Sequence, residues 1–303
     1  MSTSESSLSN GGKAIVAIVA VAGVVASLVA GQASRDAANA RWRAEAAAEA
    51  DRLTATFGLL LESARAPLVS LATLFNGSGR VAAEEFTGTI EALRKQAGPF
   101  FPEAMAFVTR SNPASCDQAE GCWLVAYSTA DQGLLNPGAD LSRFGPTAAT
   151  IAGVLADQGV MMIGPPFREA DGTQRSFLAV TMKNTRQFGV LASLVDYVAL
   201  VRELERKWLP AGVSLRIDAA FPDGSGLTEP QTVYGGVSAP AGTAVTLDRQ
   251  LESTRAKFAL HWDFSASYLG GSGSAAAGAI TAAGILASLL AALFAARLLR
   301  GGR

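Results

Sequence analysis

Histidine and cysteine are nearly missing from this chain, which has one of the former, His261, and two of the latter, Cys116 and Cys122, in 303 residues. Scarce imidazole excludes His-based nucleophilic triads and general-base schemes, and so few soft or borderline ligands leave no ordinary transition-metal site. The chain therefore does not read as an enzyme, and no cofactor is implied. The glycine-rich Gly270-Gly271-Ser272-Gly273 lacks the Lys-Ser/Thr ending of a phosphate loop and reads as a linker. Glu84 with Glu85, and Glu203 with Glu205, fall on predicted exposed helix faces, where solvated charge is the default. Charge of either sign is in no excess: 25 basic and 26 acidic residues leave a net charge of −1, with the basic residues scattered, so nucleic acid is not an expected partner.

What is abundant is apolar sequence. A chain 49% hydrophobic and 17% charged is too apolar for an ordinary soluble protein and too polar for a many-span transporter. Residues 14–33, entered just after Lys13, form a run at the lower length limit for a transmembrane helix. A cleaved signal peptide competes, because Gly31-Gln32-Ala33 resembles a small-residue cleavage site. The anchor is preferred because helical character continues unbroken into residues 37–50. Residues 273–297 form a second span, uncharged from Ala275 to Ala296. Its exit carries Arg297, Arg300 and Arg303, which by the positive-inside rule places the C-terminus in the cytoplasm, and with it the N-terminus. Arg35, Arg41 and Arg43 lean the other way, but long loops translocate largely regardless of charge. The expected layout is a two-pass protein of the cell inner membrane: cytoplasmic tails at 1–13 and 298–303, the lipid bilayer as partner of both spans, and residues 34–272 outside the cytoplasm. Gly23, Ser27 and Gly31 in the first span, and Ala275, Ala279, Ala283, Ala287, Ala291 and Ala295 in the second, recur at steps of four. Such faces let helices approach closely in lipid, and equally reflect the abundance of alanine here.

Between the spans, Leu53, Phe57, Leu60, Leu61, Ala64, Leu68, Leu71 and Phe75 make one stripe at steps of three and four, which predicts a long stalk helix over 34–79. Pro67 is expected to kink it or end it locally. A membrane-distal module follows at 80–209, with helices at 82–97, 146–157 and 196–208 and strands at 104–109, 123–128, 161–163, 176–183 and 189–195. A smaller β-rich module occupies 210–272, with strands at 213–217, 243–247 and 256–262 around a turn-dense stretch, 221–242. The fold class is α+β. Cys116 and Cys122 bracket a short polar loop that closes as a disulfide in an oxidising compartment, the alternatives being two unlinked thiols or half of a metal site.

Several pieces occur in a definite order: residues 68–75, Glu84-Glu85-Phe86, residues 102–108, Gly138-Ala139-Asp140-Leu141, residues 161–167 and residues 177–181. Over about residues 60–201 the chain resembles the CHASE family, the extracytoplasmic sensory domain of receptor histidine kinases and of diguanylate and adenylate cyclases. The family's Gly-x-Asp-Leu step is matched by Gly138, Asp140 and Leu141. Its Arg-x-x-Phe/Tyr step is not, since Thr109-Arg110-Ser111-Asn112-Pro113 and the cysteine loop intervene. The resemblance implies a long N-terminal helix supporting PAS-like sheet modules, the membrane-distal one holding a small-molecule pocket. Inward strand residues Phe107, Met161, Ile163, Phe177, Ala179 and Thr181 are the candidate lining, with ordinary core packing the leading alternative for each apolar one. Asp140 and Arg168 are polar candidates, the former also readable as a cap and the latter as an exposed loop residue.

The expected function is a transmembrane sensory input unit that binds a small ligand outside the cytoplasm and signals through two membrane helices, as a homodimer joined along stalk and spans. A membrane-anchored protein interaction module without a small ligand is the alternative. No kinase or cyclase sequence follows the second span before Arg303, so the output is expected either beyond that residue in a longer chain or on a separate cytoplasmic polypeptide.

Overall fold

The computed structural model describes residues 10–96, 101–111, 121–169, 172–223, 226–235, 242–270 and 274–301. They fall into two compact units, one drawn from Met1–Ala48 with Ala266–Arg303 and the other from Glu49–Ser265.

The first unit holds the start of α1 (Asn10–Asn76) and α5 (Ser274–Gly301). Both helices are long and apolar enough to cross a membrane. They pack antiparallel along a seam of small residues: Gly23 meets Ser288, Ser27 meets Gly284, and Gly31 meets Thr281. A Cβ added at Gly23 would lie 2.5 Å from Ser288 Oγ, and one at Gly284 would lie 2.6 Å from Ser27 Oγ, so no larger residue fits without separating the helices. The seam hydroxyls are satisfied within their own helices, Ser27 donating to Gly23 O at 2.7 Å, Thr281 to Ala277 O at 2.9 Å and Ser288 to Gly284 O at 2.7 Å. The first apolar helix uses the small-residue face read from sequence. The second does not: Ala279, Ala283, Ala287 and Ala291 are exposed, and the packed face runs instead through Ala277, Thr281, Gly284, Ser288 and Ala292. Steps of four drift around a helix of 3.6 residues per turn, so an unbroken alanine ladder does not stay on one seam. Trp42 donates its indole N–H to Tyr268 O at 2.9 Å, with the rings edge-on.

In the second unit the stripe from Leu53 to Phe75 is buried as its periodicity requires. Pro67 does not end α1, which continues to Asn76, where Asn76 Oδ1 accepts from Lys183 N at 2.8 Å. α2 (Ala83–Gln96) follows, with Glu84 and Glu85 in its first turn and Arg94 and Lys95 in its last, matching the helix dipole at both ends.

Five strands come next, β1 (Met105–Arg110), β2 (Trp123–Ser128), β3 (Met162–Arg168), β4 (Gln174–Lys183) and β5 (Phe188–Asp196), with α3 (Gly145–Ala156) between β2 and β3. They form one antiparallel sheet in the order β2-β1-β5-β4-β3. Register fixes the faces. Ala106, Ala192, Ala179 and Met162 are aligned and form a core with Ile151 and Val154 of α3. Phe107, Leu191 and Val180 are aligned on the opposite face, where Phe107 stacks on Tyr127, Tyr127 meets Phe86 of α2, and Phe86 stacks on Phe75 of α1. β3 is an edge strand containing Pro165 and Pro166, and its register shifts between Ile163 and Pro166. Proline is tolerated there because an edge strand can do without the missing N–H. Beyond β2, Gly138 N donates to Val125 O at 2.8 Å and Val125 N to Ala139 O at 3.0 Å.

After α4 (Tyr197–Trp208), the strands β6 (Val213–Ala220), β7 (Gln231–Tyr234), β8 (Thr243–Ser253) and β9 (Ala256–Ser265) form a second antiparallel sheet, ordered β7-β6-β9-β8. One face buries Ile217, Val233, Phe258, Leu260, Trp262 and Phe264. It meets α1 through Phe57 against Phe258 at 6.3 Å, Trp262 Nε1 donating to Thr54 Oγ1 at 2.8 Å, and an Arg249–Asp51 ion pair. β7 lies inside the stretch read as turns, and β3 runs well past the predicted residue 163. The two sheets touch where Ile163 N donates to Thr254 O at 3.2 Å and Arg255 pairs with Asp157.

Candidate functional site

At one end of the five-stranded sheet the chain leaves a cleft of about 1090 Å³. Its walls come from separated segments: residues 101–104 entering β1, the loop 129–135 after β2, Phe144, the end of β3 at Phe167 and Arg168, Glu169, Arg175 of β4, the end of β5 at Leu194–Asp196, Ala199 and Leu200 of α4, and Ala64 of α1. Local chemistry holds each wall. Thr129 Oγ1 accepts from Met105 N at 3.0 Å, tying the loop to β1, and Gly133 takes a positive φ of 85° with space for a Cβ only 3.4 Å from Glu169 Oε1. Asp196 caps α4, its Oδ1 accepting from Ala199 N at 2.9 Å. Phe144 and Phe167 meet edge-to-face at 5.0 Å and form part of the apolar floor.

The polar inventory is small and acidic. Arg175, its side chain 16% exposed, pairs with Glu169, 13% exposed, across the turn joining β3 and β4, and lies 3.4 Å from the exposed Glu103. Asp131, Asp196 and Arg168 complete the charged rim. Apolar walls with a few convergent polar groups, in a volume near the upper end of ordinary ligand pockets, are suited to enclosing a small polar molecule. A second concavity of about 860 Å³, along α1 from Ala17 to Ala33, is lined only by Ala, Ile and Val and has no side-chain polar group to orient a ligand.

Of the residues singled out in the sequence, Arg168 alone borders the cleft, as an exposed side chain. Phe177 and Ala179 are packed together in the core under α3, and Thr181, on the same face, accepts from Gly159 N at 3.0 Å. Phe107 and Ile163 are on the other face, and Met161 is buried just before β3. Asp140 is a cap: Oδ1 accepts from Ser142 N at 3.0 Å and Oδ2 from Arg143 Nε at 3.1 Å. The eight are thus not brought around one cavity. Glu169, Arg175 and the loop 129–135 were missed; the turn residues Asp131-Gln132-Gly133 were their one visible signal. Cys116 lies outside the described residues, while Cys122 is buried just before β2 and its carbonyl accepts from Ser111 N at 2.8 Å.

Burial raises the Tyr197 phenol well above its ordinary range, with the nearby Ser176 hydroxyl acting in the opposite sense. Among the described residues, no group of three His, Cys, Asp or Glu side chains is placed to hold a metal ion.

No family model matches the chain, the CHASE family included, and no curated protein matches it. Solved structures of similar shape include ligand-binding or periplasmic sensory domains of chemoreceptors. The ligand-binding domain of the Pseudomonas aeruginosa amino-acid chemoreceptor PctC, in complex with GABA, is 14% identical over 69% of this chain and 93% of its own, with a TM-score of 0.43. That of the Pseudomonas fluorescens chemoreceptor CtaA, in complex with L-isoleucine, is 12% identical over 78% and 96%, with a TM-score of 0.44. The periplasmic sensory domain of a Campylobacter jejuni chemoreceptor is 9% identical over 72% and 91%, with a TM-score of 0.42.

Proposed function

We propose that this chain is the input unit of a transmembrane receptor, which binds a small ligand in the cleft at the end of the five-stranded sheet and passes the event on through its membrane helices. The observation that carries the reading is the composition of the cleft wall. Ala64 of α1 and Ala199 and Leu200 of α4 share it with the ends of β3, β4 and β5, so a ligand there touches both the sheet and the helix that begins at Asn10. Such a ligand biases the placement of α1 only through a difference in affinity between two arrangements.

The remaining parts follow the sequence reading. Each sheet starts with an antiparallel pair at one edge and ends with its last strand beside its first, and this shared connectivity supports two PAS-like modules. Arg297 and Arg300 in the last turns of α5, with Arg303 just beyond, support cytoplasmic termini. An outward stripe on the stalk, Ala55, Leu59, Ala66 and Val69 with Leu59 70% exposed, supports pairing with a second copy along α1. The output is a cytoplasmic partner or domain.

Thermal unfolding of the full chain in lipid nanodiscs against a small-molecule library tests this. A ligand of the folded state raises the midpoint, and Ala199→Trp, an exposed position on the cleft wall, abolishes the rise while leaving the unliganded midpoint in place. If no compound shifts the midpoint while a protein partner co-purifies, the chain is an interaction module and the receptor reading falls.

A further inference from the structure

The single histidine stands on the outer face of the four-stranded sheet, on β9, between an aspartate on each neighbouring strand. His261 Nδ1 is 2.6 Å from Asp248 Oδ1 of β8, and Nε2 is 3.0 Å from Asp218 Oδ2 of β6. The imidazole is 17% exposed. Asp218 Oδ1 accepts from Thr232 Oγ1 of β7 at 2.7 Å, so one line of side-chain bonds reaches all four strands. The other charged groups on this face are Arg216, opposite His261 in register and 3.6 Å from Asp218 Oδ2, Asp263, which accepts from Thr246 Oγ1 at 2.5 Å, and the Lys257–Glu252 pair at 3.1 Å. β7 contributes the neutral Thr232.

Two carboxylates at opposite ends of a ring require two N–H donors. A neutral imidazole has one N–H and one lone pair, and only the imidazolium offers both donors. The opposed directions also exclude one metal ion shared by the three side chains. We infer that His261 is a proton-operated latch: protonated, it ties the edge strand β8 to β6 across β9, and on losing a proton it lets β8 go. Asp218 is fixed by Thr232 and Arg216, whereas Asp248 is 71% exposed and re-enters water freely, so the remaining N–H stays with Asp218. The latch is closed while the ring holds both protons and opens when it gives one up. β9 is the strand that precedes α5 in the chain, so acidity stiffens the last sheet element before the second apolar helix. This device is independent of any ligand in the cleft.

Because His261 is the only histidine, imidazole NMR of the full chain in nanodiscs reads it without assignment by mutation. Two slowly exchanging ring N–H protons are expected at the acid end of a pH series and one at the alkaline end. Hydrogen exchange of the β8 amides, corrected for intrinsic pH dependence, should rise roughly threefold or more over the same range. His261→Gln and Asp248→Asn should remove that step, the latter at a surface position that leaves folding intact. A single ring N–H at the acid end overturns the latch, as does a β8 step that is absent from the wild type or survives in both variants.

Discussion

The same substitution, glycine to alanine, should act with opposite sign at two places in the Glu49–Ser265 unit, and the structure says which way each goes. Gly88 is exposed in the middle of α2, and a Cβ there meets nothing within 4 Å. Gly88→Ala therefore gains only helix propensity and unfolded-chain stiffness, about 0.5–1 kcal/mol. Gly189 is buried at the start of β5, paired with Thr109 on one side and Met182 on the other. A Cβ there would overlap Val108 O and lie 2.6 and 2.8 Å from two carbons of the Phe107 ring. The carbonyl belongs to the sheet and cannot yield, and the ring is locked against Tyr127, itself against Phe86. Overpacking of this kind costs about 1–3 kcal/mol. At roughly 2–4 °C per kcal/mol for a unit of this size, Gly88→Ala should raise the melting midpoint by about 1–4 °C and Gly189→Ala should lower it by about 2–12 °C. Thermal unfolding of the full chain in detergent, followed by circular dichroism, measures both. Equal stability of Gly189→Ala and wild type would refute the placement of the Phe107 ring, and a fall for Gly88→Ala would refute the open surface of α2.

In urea unfolding, Arg175→Ala and Glu169→Ala should each cost about 1–2 kcal/mol and couple by about 1 kcal/mol in a double-mutant cycle, because both charges are largely withdrawn from water; additive losses would show that the cleft pair does not form. On alkaline titration, Tyr197 and Tyr234 should ionise late by absorbance. Tyr197 is held neutral by burial, and Tyr234 is pushed up to about 12 by burial and by the Glu205 carboxylate its hydroxyl donates to. Both values lie above the unfolded one near 10, so their contribution is complete below that pH and fades as pH climbs through the folded values; ionisation of either phenol in its ordinary range contradicts this. Cysteines placed at Ser27 and Gly284 should cross-link on oxidation, leaving the two apolar helices joined after proteolysis of the intervening domain, and Gly31→Leu should suppress the link.

The buried stripe of α1 was legible because burial of one face of a helix leaves a pattern in a single stretch of sequence, and Leu53 to Phe75 shows it. The faces of the five-stranded sheet were not. Phe107 and Phe177 read alike, as large apolar residues in strands, yet the pairings of Phe107 with Leu191 and Phe177 with Leu194 put them on opposite sides. Register is a property of two strands together, and a slip of one residue reverses every side chain, so no single strand announces which face it offers. β7 was hidden because its four residues, Gln231–Tyr234, sit among turn formers and bury only Val233. The cleft eluded the sequence for a related reason: its walls are ends of elements, far apart along the chain, and ends carry no periodicity. Asp140 was read in two ways, and its hydrogen bond to Ser142 N makes it a cap.

The prolines of β3 bear on how copies of this domain can meet. With Pro165 and Pro166 on one outer strand, and the backbone of Gly138 and Ala139 already bonded along the other, neither border of the five-stranded sheet offers a free ladder to a strand from another molecule. Edge-to-edge growth of that sheet is interrupted at Pro165 and Pro166 on one side and at Val125 on the other. Any meeting of two such domains is then left to their helices and loops, since the prolines of β3 resist continuous strand addition.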